Sequence, residues 1–203
     1  MNASQKYIQS CRKGFWQKVF QLEIKYLIDH LKGCRDVLSI GCGPAFIEGK
    51  LARNGFRVTG LDVSCEALNC APDKVRTVAA RAEDMPFPES SFDAVIYVAS
   101  LQFIDDYRKA LEKSAAVLRP HGKIVIMLLN PESEYFRERV HDPDSYVSKI
   151  KHTDQQAITD AVAGSFKVRT EYYLGIDGNE VSLSAKKAGA ALYIISGAKR
   201  DNH

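Results

Sequence analysis

Residues 37–62, VLSIGCGPAFIEGKLARNGFRVTGLD, read as strand, glycine turn, helix and second strand, ending on a carboxylate. Asp36 and the four residues after it, DVLSI, form the short apolar run that a parallel strand covered on both faces requires. The run stops at Gly41-Cys42-Gly43-Pro44. Two glycines let the backbone turn sharply and let a ligand approach where a side chain would collide, and Pro44 suits a first helical turn, which needs no N–H. The spacing predicts a helix over residues 45–53, closed by Asn54-Gly55, and a second strand over 56–61. Asp62 then falls 21 residues after Gly41, at the carboxyl end of that strand, where an acidic side chain can accept both hydrogen bonds of a ribose diol.

A glycine pair before a helix also makes an ordinary turn without a ligand. Asp62 at this distance turns the reading toward an adenosine. A dinucleotide site needs a third glycine three positions after the second, and that position is Phe46, so nicotinamide and flavin cofactors are disfavoured.

The strand–helix rhythm continues. Ser64 is placed to cap a short helix through Cys70, residues 75–79 read as a third strand, and Phe92–Val98 reads as a fourth after the turn signal PESS. Asp105 or Asp106 caps a helix that ends before Arg119-Pro120, and His121-Gly122 leads into a fifth strand over 123–129. Two long strands follow, over 165–176 and 189–198, joined through Asp177-Gly178-Asn179. Right-handed crossovers then give an α/β, three-layer, doubly wound architecture.

Composition agrees with one such core. The chain is 45% apolar and carries a formal net charge of +3. Its basic residues are not gathered into the patch or stripe of a nucleic-acid binder, which disfavours a nucleic-acid partner. The N-terminal MNASQKYIQSCRKGFW lacks the apolar core of a secretory signal and no run reaches membrane-span length, so a cytoplasmic protein is expected. Cys11, Cys34, Cys42, Cys65 and Cys70 have no paired CxxC elements and read as free thiols, with no metal expected.

Four segments in this order, SIGCGPAF, GLDVS around Asp62, AEDMPFPESSFDAVIYVASLQFI and LRPHGKIVIM, resemble the class I (Rossmann-like) S-adenosylmethionine-dependent methyltransferases. The likeness is strongest to the small-molecule branch of ubiquinone and menaquinone C-methyltransferases. It implies a seven-stranded sheet ordered 3-2-1-4-5-7-6 with the last strand antiparallel. It divides a single domain, 1–203, into a leading helical region (1–33), a cofactor-binding core (36–129), a lid-like loop (130–153) and a closing helix with strands (154–200). It further implies S-adenosylmethionine as cofactor and S-adenosylhomocysteine as its product. Gly41, Cys42 and Gly43 would line the methionine part, Asp62 would hold the ribose with Val63 beside the adenine, Ala82, Glu83 and Asp84 would frame the adenine, and Tyr97 and Val98 would floor the pocket.

The chain departs from the family at two places. Ser39 stands where an acidic residue usually accepts the methionine ammonium, and a serine hydroxyl is a weaker acceptor. Ala45 stands where a third glycine is frequent, a mild change if φ is negative there.

Acceptor recognition falls to two regions. Tyr7, Phe15, Trp16, Phe20 and Tyr26 put aromatic bulk in the leading helix, where they either reach the site or simply pack the helix onto the sheet. The polar connection 130–153 is longer than most loops in compact domains, and Tyr135, Phe136, His141, Tyr146 and His152 are the lid candidates. His141, His152 or Gln102, which replaces a histidine frequent in the family, is a candidate to handle a proton, although a loop histidine is more often plain surface. The activity expected is methyl transfer to an O, N, C or S atom of a small molecule, in a monomer or homodimer. The alternatives are a non-catalytic module that binds the nucleoside or activates a partner, and a methyltransferase acting on RNA or protein.

Overall fold

The computed structural model describes residues 14–178 and 180–200. Tyr7, Cys11 and Asn179 of the expected aromatic, thiol and turn residues lie outside these. Among the described residues, eight strands form one sheet: β1 (Asp36–Ile40), β2 (Arg57–Asp62), β3 (Arg76–Ala79), β4 (Phe92–Val98), β5 (Leu118–Leu129), β6 (Phe166–Asp177), β7 (Glu180–Ser182) and β8 (Ala190–Lys199). Their order is β3-β2-β1-β4-β5-β8-β6-β7. The expected 3-2-1-4-5-7-6 order is present, with β8 inserted antiparallel between β5 and β6. The eighth strand is the three-residue β7, folded back on β6 across the turn at Gly178.

Helices α1 (Gly14–His30), α2 (Phe46–Arg53) and α5 (Glu134–Arg139) cover one face, and α4 (Tyr107–Val117) and α6 (Gln155–Ala163) cover the other. The single-turn α3 (Cys65–Leu68) follows β2. No helix among the described residues is long and apolar enough to cross a membrane.

Strand alternation decides which side chain meets which layer. Ala94 and Ile96 of β4 join the α1–α2 core while Val95 and Tyr97 join the α4–α6 core. Each fully buried Val, Leu or Ile contributes roughly 1.5–3 kcal/mol, so these two faces carry most of the stabilisation. The expected caps are present: Ser64 Oγ accepts from Ala67 N–H at 3.2 Å, and Asp106 accepts from Lys109 N–H at 3.0 Å. Strand β5 begins five residues earlier than expected, at Leu118, which pairs with Phe92 before a register shift over residues 119–122.

The 130–153 connection is not an open loop. Ser133 caps α5, a 3-10 turn spans Tyr146–Lys149, and Tyr135, Phe136 and Val147 are buried. Aromatic and aliphatic residues among the charges supplied enough apolar surface to fold the segment onto the sheet.

Candidate functional site

The glycine turn is held from several sides. Gly41 sits at φ +72°, and a Cβ there would lie 2.5 Å from Ser100 Cβ. Ser100 in turn donates to the Ile40 carbonyl at 2.6 Å. Only glycine permits this contact between the end of β1 and the residues after β4. Across the turn, Gly60 lets Cys42 approach, since a Cβ at 60 would meet its Sγ at 2.6 Å.

Asp62 locks the other side of the turn. Its Oδ2 accepts from Gly43 N–H and its Oδ1 from Ser64 N–H, both at 2.8 Å. A carboxylate offers about four lone-pair sites, so acceptor capacity remains for a ligand. Ala45 has φ +55° and is fully buried. The condition under which alanine is a mild replacement for glycine is therefore not met. The left-handed conformation at this position, strained by on the order of 1 kcal/mol, is the backbone geometry for which glycine is suited.

Two cavities open at the carboxyl ends of β1, β2 and β4, and both have Gly41 and Ala99 in their walls. The first, about 360 Å³, lies between Asp62, Val63, Ala82, Glu83 and Phe103. Val63 is 71% exposed, an apolar side chain presented at the opening. The second, about 230 Å³, runs from the Gly41–Gly43 backbone under α1 to Trp16, Phe20, Tyr135 and Tyr146.

Two buried carboxyl groups stand in the wall of the second cavity. Ser39 Oγ donates to Glu48 Oε1 at 2.6 Å, both residues being buried. Burial pushes the Glu48 carboxyl up to about 7 against the restraining Ser39 hydrogen bond. Glu23 lies on the inward stripe of α1 with Val19, Tyr26 and Leu27. Burial first, and the Glu48 carboxylate second, push it up to about 8. Sequence reasoning missed both. Ile47 and Leu51, four apart in α2, are the buried stripe beside which Glu48 falls, and Glu23 falls four after Val19.

The remaining expected residues divide. Trp16, Gly41, Cys42, Gly43, Val98, Tyr135 and Tyr146 line the second cavity, and Asp62, Val63, Ala82 and Glu83 line the first. Burial, with Glu48 and Asp62 near, raises the Cys42 thiol, so it is neutral rather than a thiolate nucleophile.

Tyr97 lines neither cavity. The pleat turns it to the opposite face, where its hydroxyl meets Ser114 Oγ at 2.7 Å. Asp84 is at the surface with Lys109, 2.9 Å away, rather than at the first cavity. Phe136 packs in the core.

None of the three proton-handling candidates lines either cavity. His141 is exposed. His152 Nε2 is 2.9 Å from the Ile104 carbonyl, and its ring meets Tyr107 edge-on. Gln102 is fully buried, accepting from Leu129 N–H at 2.7 Å and donating to the carbonyls of Leu129 and His152. It joins the end of β5 to the end of the long connection. Of the leading aromatics, Trp16 and Phe20 reach the cavity, while Tyr26 is buried in the core away from it, donating to Glu171 at 2.7 Å.

Comparison with known proteins places this geometry in context. A family model described as a methyltransferase domain matches residues 38–126. An uncharacterized protein of Methanocaldococcus jannaschii is 29% identical over 153 residues, covering 74% of this chain and 71% of that protein. The demethylmenaquinone methyltransferase of Tropheryma whipplei is 33% identical over 96 residues, 45% of this chain but only 40% of that enzyme. Among solved structures, an S-adenosylmethionine-dependent methyltransferase of Thermotoga maritima, described as a possible histamine N-methyltransferase, superposes with a TM-score of 0.80. That likeness covers 97% of this chain and 95% of the other at 19% identity, and so speaks to fold rather than to acceptor.

Proposed function

We propose that the chain is a class I S-adenosylmethionine-dependent methyltransferase, as the methyltransferase-domain match over residues 38–126 and the shared fold support, and that it methylates a small molecule held between α1 and the 130–153 segment. The observation that carries this reading is the pair of cavities meeting at Gly41 and Ala99. One suits an adenosine and the other suits an amino-acid tail beside an acceptor.

The residues fit the cofactor in shape and in charge. The Gly41 position leaves the turn backbone bare, as the approach of a ligand edge requires. The cationic amino-acid tail meets the buried Glu48 carboxyl in a cavity whose lining, among the described residues, holds no lysine or arginine. Asp62 takes the ribose hydroxyls on its remaining lone pairs, Val63 and Ala82 cover the adenine faces, and the Gly41–Gly43 backbone carries the methionine tail. Glu48, steadied by Ser39, supplies the carboxylate that Ser39 itself lacks.

When bound, S-adenosylmethionine supplies a methyl group already activated on sulfur. The protein's work is then mainly alignment and exclusion of water, which can lower a barrier by roughly 7–11 kcal/mol in well-oriented systems. Trp16, Phe20 and Tyr146 give an apolar wall suited to an acceptor. The demethylmenaquinone methyltransferase likeness favours a small acceptor over a macromolecule.

Asp62→Asn tests the assignment. It removes the charge and one acceptor while retaining the shape. Calorimetric titration with S-adenosylhomocysteine should show affinity reduced at least roughly 30-fold, on the scale of a lost charge-assisted hydrogen bond. Unchanged binding in a variant of normal thermal stability would refute it.

A further inference from the structure

Glu23 is the one side chain at the site whose presence the cofactor does not explain. It occupies an inward position of α1 that Val19 and Leu27 fill with hydrocarbon, it is 5% exposed, and it lines the cavity. No group among the described residues donates a hydrogen bond to its carboxyl. A carboxylate with so little access to solvent is less favourable than a leucine at this position unless a cation pairs with it. Its oxygens are not sealed in the protein but open to the cavity, where a cationic ligand would meet them.

Resting on the methyltransferase reading above, we propose that the acceptor is an amine, bound as its ammonium with Glu23 as counter-ion and proton acceptor. The walls agree with a cation. Trp16 stacks on Phe20 with ring centroids 6.0 Å apart and meets Tyr146 at 6.4 Å. Such faces attract an ammonium and hold the carbon chain behind it. A neutral hydroxyl would satisfy one hydrogen bond of Glu23 and leave its charge uncompensated.

The proton balance follows from the same group. The ammonium N–H gives its proton to a Glu23 oxygen, leaving a neutral amine with a free pair. The nitrogen forms the new N–C bond as the methyl carbon's bond to sulfur breaks with its pair on sulfur. Glu23 releases the proton to solvent when the products leave. The groups that face Glu23 are Glu48 from α2, Tyr135 from α5 and Tyr173 from β6, none of them a cation that would hold the carboxyl ionised without ligand.

The test uses the intact chain, with 2-phenylethylamine and 2-phenylethanol as a matched pair of probes. Calorimetric titration at pH 7.5, with and without saturating S-adenosylhomocysteine, should show the amine binding at least 30-fold tighter than the alcohol. Glu23→Gln should abolish that preference while S-adenosylhomocysteine affinity stays within threefold, which also shows that the variant folds. With S-adenosylmethionine, methyl transfer to the amine should fall at least 100-fold in the variant. Equal binding of amine and alcohol, or an amine affinity untouched by Glu23→Gln, overturns the proposal. Nucleoside binding without Glu23-dependent amine binding defeats this inference alone. Glu23-dependent amine binding without nucleoside binding defeats the methyltransferase reading instead.

Discussion

A carboxylate missing at Ser39 and one present at Glu48, 2.6 Å apart through the serine hydroxyl, make a single buried unit. Because burial raises the Glu48 carboxyl to about 7, an ammonium that requires its ionised form must bind less well as it protonates. S-Adenosylhomocysteine affinity should therefore fall roughly five- to tenfold between pH 7.5 and pH 6. In Glu48→Gln it should be about 10-fold weaker at pH 7.5 and flat across that range, as read by calorimetry. A pH dependence that survives the substitution would mean that another group carries the charge. Asp62 was legible in the sequence because its distance from Gly41 is set within one strand–helix–strand unit. Glu48 and Glu23 were not, since a glutamate in a helix is ordinarily solvated and only tertiary packing turned these inward.

Elements, rather than single side chains, separate the proton-handling candidates from the site. Gln102 spends its amide on the Leu129 N–H and carbonyl and on the His152 carbonyl, tying the end of β5 to the end of the long connection. Gln102→Ala leaves those buried groups without their partner and should destabilise the protein by about 2 kcal/mol or more, measured by urea denaturation. A loss of turnover with unchanged stability would instead return Gln102 to the chemistry. The positions of the parallel strands along the chain could be read from hydrophobic runs and turn residues, which are local, whereas their order in the sheet came from the family resemblance. The packed state of 130–153 could not, because Tyr135, Phe136 and Val147 lie among charges without periodicity and gain their burial only against the sheet. The Tyr97 side chain faces away from the cavities for a simpler reason. The period of two along β4 gives Val98 to the cavity and its neighbour to the other face.

Across the whole molecule, charge is arranged with opposite consequences at the two ends of the sheet. Near the starts of β1, β2 and β4, Arg57 and Arg119 bridge Asp36 and Asp93. The Arg57 hydrogen bond holds the Asp36 carboxyl below its ordinary value. That contribution is present above about pH 4 and lost as pH falls through the depressed value. At the other end, Glu23 and Glu48 are raised to about 8 and about 7. The folded state there binds more protons than the unfolded one, so stability is greatest below the unfolded carboxyl range and falls as pH climbs through 5 to 8. The ligand-free protein should be most stable near pH 5 and lose several degrees of Tm by pH 8 in scanning calorimetry. A cationic ligand should restore much of that loss.

Diffraction from crystals grown with S-adenosylhomocysteine tests the central claim most directly. The account predicts adenine against Val63 and Ala82, ribose on Asp62, and the amino group at Glu48, with the sulfur facing the space beneath Trp16 and Glu23. Density for the nucleoside outside the two joined cavities, or a tail directed away from the Gly41–Gly43 backbone, would contradict it.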